Sequence, residues 1–319
     1  MEIHIPDLFD LQKITDSGQC FRAALLPNGA HRFITGKQVL YIQKTAPETY
    51  WVSCDPDTWM HIWRPYFDLD RNYRDIGNAI PAKDTFLAQA AQVGAGIRIL
   101  RQDPWETLVT FIVSQRKSIP AIRAVVELLS QRYGSEIRTP EETLYTFPTA
   151  LQLKDACLED YLACKAGYRA SYLCDAVNQV LSGTLDLTGI AALPDSELIA
   201  ALERVRGVGI KVASCVALFA YGRTACAPVD TWIQKIIRQA YHGQDPFARY
   251  GSAAGIMPQY FFYCAQTHKR EPAYPLQTAH KKPETIHGLR LFRFLFRCTA
   301  LPLFGLCKPS SASDPLPPA

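Results

Sequence analysis

The pattern of apolar and polar positions changes character about a third of the way along the chain. Before residue 98 short β-prone runs dominate: Gln19–Ala24, Arg32–Gly36, Val39–Gln43 and Thr49–Cys54. Pro27-Asn28-Gly29, Gly36-Lys37 and Ala46-Pro47 separate them, which predicts antiparallel strands joined by tight turns. From Asp103 the period becomes helical. Asp103-Pro104 opens a helix with Trp105, Leu108, Val109, Ile112 and Val113 on its apolar face, and Ser118-Ile119-Pro120 opens another that runs to about Tyr133. Thr139-Pro140-Glu141-Glu142 reads as a further helix start, with a capping hydroxyl, Pro at the first position and acids in the first turn. More helices are predicted near 148–162, 167–182, 195–205, 210–221, 230–241 and 252–267. The fold class is therefore α+β: an N-terminal domain, residues 1–98, with an antiparallel sheet and helices, then an all-α domain, residues 99–270. Residues 271–319 hold 8 of the 22 prolines and end in a Ser/Pro-rich stretch, a tail not expected to pack alone. Within it Arg290, Arg293 and Arg297 share one face of a possible short basic helix.

Composition narrows the class of protein. Apolar residues are 48% and charged residues 20% of 319, a globular balance. The net charge is +4, and the first 270 residues carry 28 of the 34 basic and 27 of the 30 acidic side chains. A body so nearly neutral is no generic polycation, so any grip on phosphate must come from where charges sit. The first ten residues carry Glu2, Asp7 and Asp10 and no apolar run, unlike a secretory signal, and no eighteen-residue uncharged apolar stretch suggests a membrane span. A cytoplasmic protein is expected, nucleoid-associated in a prokaryote, with no membrane partner. The ten cysteines form no C-x-x-C pair, which argues against a zinc ribbon; no metal or cofactor is implied. Cys20, Cys157, Cys164, Cys174 and Cys264 are expected as core thiols.

The chemistry concentrates between Leu202 and Tyr241. Gly207-Val208-Gly209 sits between two predicted helices, where paired glycines allow a close hairpin whose outward N–H groups can receive an anion such as a DNA phosphate. Lys211 falls in the first turn of the second helix, whose positive end disfavours a protonated amine and so favours a nucleophilic one. Asp230, after Pro228-Val229, is placed to cap the following helix. An amine beside a carboxylate suits chemistry through a cationic sugar, although an exposed lysine and a simple N-cap would carry the same residues.

Several motifs sharpen this. The run G-V-G-x-K-V-A, with Asp in P-V-D nineteen residues after the Lys, resembles the helix–hairpin–helix DNA glycosylases that carry a catalytic lysine. Ser17-Gly18-Gln19-Cys20-Phe21-Arg22, Gly96 to Pro104 and Gly167-Tyr168-Arg169-Ala170-Ser171-Tyr172 are similar to segments of the 8-oxoguanine DNA glycosylase family, in the same order, covering roughly residues 5–268. The resemblance implies a bifunctional glycosylase/AP lyase acting on double-stranded DNA with a damaged base, as a monomer. It implies Lys211 as nucleophile and Asp230 as its electrostatic and proton-handling partner. Gly18 would offer its carbonyl to the N7 hydrogen of 8-oxoguanine, Cys215 and Phe262 would contact the flipped base, and Tyr168 and Arg169 would probe the gap in the duplex. Three positions depart from the family. Arg116 stands where Asn often reads the orphaned cytosine, Pro258, next to Gln259, where Gln faces the base, and Trp232 where His meets a phosphate. Two other readings are a monofunctional glycosylase for alkylated bases, which has no need of Lys211, and a non-catalytic helix–hairpin–helix DNA-binding module. An iron–sulfur glycosylase is disfavoured, because Cys298 and Cys307 alone cannot hold a cluster.

Overall fold

Five antiparallel strands open the molecule in the order β1-β5-β4-β3-β2: Glu2–His4, Ala24–Leu25, His31–Thr35, Gln38–Ala46 and Thr49–Val52 for β1 to β5 in chain order. The computed structural model describes residues 1–270, and side chains as far as residue 267. β3 and β4 close with Thr35 opposite Gln38, leaving the two-residue turn Gly36-Lys37; Gly36 takes φ +54°, which only glycine adopts freely. Phe33, Leu40, Ile42, Tyr50 and Val52 point to one side of the sheet and pack with Trp59, Trp63, Tyr66 and Phe67. Edge-to-face contacts, such as Phe33 on Phe67 at 5.0 Å between ring centres, hold this aromatic core. β1 was not anticipated, because three residues give no readable alternation. The run Gln19–Ala24 is not the predicted strand: only Ala24–Leu25 pairs, since the Gln19 side chain is spent on backbone groups elsewhere.

The helical part follows the predicted order with two corrections. Thr139 caps no helix. Glu136–Arg138 and Thr143–Tyr145 form a two-stranded hairpin, and the Thr139 hydroxyl closes its turn by accepting from the Glu142 amide. Thr and Glu serve such a turn as well as they serve a helix start, so the motif is ambiguous in sequence. Residues 150–155 are turns, and the predicted helix at 148–162 contracts to Leu158–Ala163. Elsewhere helices span Pro104–Ser114, Ile119–Tyr133, Ala170–Leu181, Asp195–Glu203, Ile210–Phe219, Thr231–Ala240 and Ile256–Arg270.

All described residues belong to one compact unit. The helix Thr85–Gly94 lies against Ile256–Arg270, and a Cβ on Gly94 would come within 2.7 Å of Tyr260, so glycine permits that approach. The fully buried Arg98 ties the sheet to the helices. Its guanidinium meets Asp7 at 2.6 Å, donates to the Asp68 and Arg71 carbonyls, and stacks on Tyr73 at 4.0 Å. The basic tail predicted at 271–319, and Arg290, Arg293 and Arg297 within it, lie outside the described residues. Among the expected core thiols, Cys20, Cys164 and Cys264 are buried and Cys174 is half-buried. Cys157 corrects the expectation: it is exposed and donates to Asp160.

Candidate functional site

Gly18, Phe111, Lys211, Cys215, Asp230 and Phe262 line one cavity of about 70 Å³, together with Pro258 and Gln259. Residues separated by more than two hundred positions thus meet where the predicted chemistry requires. Lys211 is the second residue of Ile210–Phe219, and its ammonium lies 5.4 Å from the centre of the Phe111 ring. Phe111 stacks in turn on Phe219, 5.4 Å apart and nearly parallel. Cys215 follows one turn after Lys211 on the same face. Burial pushes its thiol up, and the Lys211 charge and hydrogen bond only partly offset this, so it is an apolar wall rather than a reactive thiolate.

Asp230 caps Thr231–Ala240. Its Oδ1 accepts from the Trp232 and Ile233 amides at 2.9 and 2.8 Å, and Oδ2 has no hydrogen-bond partner among the described residues. Trp232, expected at a phosphate, is half-buried on the same turn. No ion pair joins Lys211 to Asp230 among the described residues. The second carboxylate oxygen is thus uncommitted beside the cavity, and the amine is held by the Cys215 thiol and the Phe111 ring with no carboxylate paired to it among the described residues.

The opposite wall is made of backbone. Gly18 has φ +75°, and a Cβ there would lie 2.6 Å from Phe262 Cε1. The flanking residues are pinned on both sides. Gln19 donates to the Arg98 carbonyl and accepts from the Leu100 amide, both at 2.8 Å, while its own carbonyl accepts from Gln102. Gln259, also buried, donates from Nε2 to the Ser17 carbonyl. Sequence reasoning named Gly18 and missed that Gln19 anchors it.

Beyond the cavity three loops are stitched into one surface. Gln115 Nε2 donates to the Gly207 carbonyl at 3.0 Å, and Lys117 Nζ donates to the Lys165 carbonyl at 2.9 Å. Gly207, at φ +80°, packs so tightly on Tyr172 that a Cβ would approach within 2.3 Å. Val208 is buried beneath the hairpin, while Gly209 and Ile210, 61% exposed, leave the helix start open to solvent. Arg116 sits exposed in the left-handed region at φ +50°. Tyr168 is half exposed and packs edge-on against Tyr172. Arg169 corrects the expectation of a second probe. It is 4% exposed, donates to the Ala166 carbonyl, and lies 4.2 Å under the Tyr168 ring, so it supports that ring instead of projecting. Burial and then the Arg169 charge hold the Lys117 ammonium below the usual lysine range. Tyr172, in the Gly167–Tyr172 segment, and Gln115, next to Arg116, carry the hairpin, and neither was assigned a role from the sequence.

A two-glycine hairpin between helices, followed by a lysine and a capping aspartate on one cavity, defines the class of helix–hairpin–helix DNA glycosylases. The family model for the N-terminal domain of 8-oxoguanine DNA glycosylase matches residues 2–108. The 8-oxoguanine glycosylase/lyase of Clostridium acetobutylicum, solved in complex with double-stranded DNA containing cytosine opposite 8-oxoG, is similar to this chain with a TM-score of 0.78. The two are 33% identical over 84% of this chain and 98% of that one. An N-glycosylase/DNA lyase of Saccharomyces cerevisiae is 31% identical over 190 residues, covering 55% of this chain and 50% of that protein. The N-glycosylase/DNA lyase OGG1 of Arabidopsis thaliana is 32% identical over 176 residues, covering 54% and 48%. The chain spans about half the length of these two curated relatives. It belongs to the 8-oxoguanine DNA glycosylase family.

Proposed function

We infer that this protein is a bifunctional DNA glycosylase/AP lyase of base excision repair that removes 8-oxoguanine from double-stranded DNA and then nicks the strand. The carrying observation is that a lysine amine with no paired carboxylate and a carboxylate oxygen without a hydrogen-bond partner among the described residues line one cavity together with the Gly18 backbone. The lesion swings out of the stack into this cavity, because the anomeric carbon cannot be reached inside the duplex. Lys211 Nζ gives its electron pair to C1′ while the glycosidic bond breaks and its electrons leave with the base. The Asp230 carboxylate stabilises the positive charge at the sugar and takes up the proton the amine sheds. Asp230 passes that proton to the departing base; transfer of a further amine proton to the ring oxygen opens the sugar and gives a Schiff base, and loss of a C2′ proton then expels the 3′ phosphate and cleaves the strand.

Gly18 supplies the selection. The N7 hydrogen of 8-oxoguanine donates to a carbonyl, whereas guanine would present a lone pair to it. Tyr168 and Arg116 face the opened duplex, and Gly207–Gly209 with the exposed helix start receives a phosphate. Kinship to an enzyme solved with cytosine opposite 8-oxoG supports this substrate. We read the protein as a monomer in the cytoplasm, on the nucleoid in a prokaryote, with residues 1–98 and 99–270 as its two structural domains.

The test is borohydride trapping on an 8-oxoguanine·cytosine duplex. The wild type is expected to form a covalent protein–DNA adduct, and Lys211→Gln to bind the duplex with neither adduct nor nick. Base release at the wild-type rate by Lys211→Gln would mean that water is the nucleophile and would favour a monofunctional glycosylase.

A further inference from the structure

The cavity is small for its task. At about 70 Å³ it is roughly half the ~150 Å³ that accommodates benzene in an engineered protein cavity. That space is too small to enclose a whole purine, and the cavity is open to solvent on its other side. Phe262 packs directly on Gly18, so its ring fills the space a base would need. Gly18 itself is held from both directions. Downstream, the Gln19 side chain is bonded to Arg98 and Leu100, and the Gln19 carbonyl to Gln102. Upstream, Gln259 binds the Ser17 carbonyl, and the Ser17 hydroxyl is shared between the Ile14 carbonyl and Gln19. The peptide carrying the Gly18 carbonyl lies between these two clamps. A glycine has no side chain to fix that peptide, so its direction depends on the clamps alone.

We propose that Gln259 is a positioning residue for lesion selection: its bond to the Ser17 carbonyl fixes the Gly18 carbonyl toward the cavity while Phe262 moves aside for the base. This rests on the 8-oxoguanine reading above. Gln259 is 7% exposed, and one of its two amide N–H groups is committed to the Ser17 carbonyl, the peptide next to Gly18. It comes from the helix Ile256–Arg270, the same helix that carries Phe262. One helix thus supplies both the brace for the fixed wall and the ring packed against it.

The experiment measures single-turnover excision from 8-oxoguanine·cytosine and guanine·cytosine duplexes, with nicking of a pre-formed abasic duplex alongside. Gln259→Met keeps length and removes the donor. Excision of 8-oxoguanine relative to abasic nicking is expected to fall about tenfold, and the preference over guanine to fall with it, the scale expected for one unsatisfied buried acceptor. Gln259→Glu separates positioning from packing. Its carboxylate can only accept and repels the Ser17 carbonyl, whereas the protonated acid donates, so its excision ratio should recover as pH falls and that of Gln259→Met should not. Equal losses of excision and abasic nicking in Gln259→Met, or an unchanged preference for 8-oxoguanine over guanine, would overturn the proposal. If Gln259→Met does not fold, absence of acid recovery in Gln259→Glu overturns it equally. A wild type that nicks abasic DNA yet excises no 8-oxoguanine would overturn the functional reading instead.

Discussion

The two walls of the cavity are built on opposite principles. On the Gly18 side the polar groups are bonded: Gln19, Gln259 and Gln102 donate to the Arg98, Ser17 and Gln19 carbonyls, while Ser17 and Arg98 donate to the Ile14 and Asp68 carbonyls. On the Lys211 side the polar groups are half-buried at helix starts and keep capacity in reserve, the amine over an aromatic ring and the carboxylate with one oxygen unbonded. Selection between two bases that differ by one hydrogen needs an acceptor that cannot turn away. Chemistry needs groups that can exchange partners and protons during the reaction. A satisfied buried network gives the first, and incompletely satisfied helix ends give the second.

The largest effect should come from the free wall. Asp230→Asn removes the charge that stabilises the sugar cation yet keeps a good N-cap, so the Thr231–Ala240 helix should persist. Excision is expected to fall by about 10²–10⁴-fold with melting nearly unchanged, and some trapping on a pre-formed abasic site should survive because Lys211 remains. A fall below tenfold would show that the carboxylate serves the helix alone.

A titratable weak point lies outside the cavity lining, beside Arg22. Glu106, in the first turn of Pro104–Ser114, is pushed up to about 7 by burial, which the nearby Arg22 charge offsets only in part. Arg22 donates to the Tyr145 carbonyl, and its Nε and Nη1 lack hydrogen-bond partners. A carboxyl with a raised folded pKa lets the folded state hold a proton that the unfolded state releases. Its stabilisation is full below about pH 4.5 and is lost as pH rises through about 7. Glu106→Gln imitates the protonated form, so at pH 8 it should be more stable than wild type by up to about 3 kcal/mol. The difference should shrink toward zero near pH 4.5, apart from acid effects common to both proteins. Asp7 has the opposite sign. Burial pulls its pKa up, but bonds from Tyr73, Leu8 and Arg98 outweigh that and hold it below the usual range, so its contribution is lost only as acid protonates it. Melting curves separate the two: the Glu106 difference appears between pH 4.5 and 8, and the Asp7 contribution is lost only in acid below the usual aspartate range.

Gly18→Ala tests the rigid wall at its centre. A φ of +75° costs a non-glycine residue about 1–2 kcal/mol, and the new Cβ would meet the Phe262 ring at 2.6 Å. Stability should drop by about that amount, with excision of 8-oxoguanine falling about tenfold or more, since even a small rotation of the peptide loses the single discriminating bond. Unchanged excision would locate selection elsewhere.

Legibility in the sequence follows the same contrast. Lys211, Asp230 and the Gly207–Gly209 hairpin sit close together along the chain, where caps, glycines and helix period can be read. Gly18 was reached through resemblance, because nothing local marks a backbone carbonyl as a reader. Gln259 and Gln19 depend on bonds across 242 and 79 positions, which no local pattern encodes. Arg169 shows the reverse error: an arginine beside an exposed tyrosine reads as a surface cation, yet its guanidinium lies beneath that ring. The hairpin at 136–145 was lost because Thr-Pro-Glu-Glu starts a helix or closes a turn with equal ease.

The smallest expected effect lies outside the cavity, at Arg116. Its exposed guanidinium carries donors only, so it can bond the ring nitrogen and carbonyl of the orphaned cytosine but cannot accept from the exocyclic amine. Excision should therefore favour cytosine over adenine opposite the lesion by a modest factor. The position is also strained, since φ +50° disfavours arginine and is tolerated far better by asparagine. Arg116→Asn supplies both a donor and an acceptor and relieves that strain. It should raise the cytosine-to-adenine ratio by about fivefold, the equivalent of about 1 kcal/mol, and raise the melting midpoint slightly. Single-turnover rates on four duplexes differing in the opposite base measure the ratio directly. If the substitution stabilises the protein and leaves that ratio unchanged, Arg116 does not touch the opposite base and its role is confined to the DNA backbone. In that case the salt dependence of binding should weaken by about one phosphate contact, whereas a base-reading arginine would leave it nearly as steep.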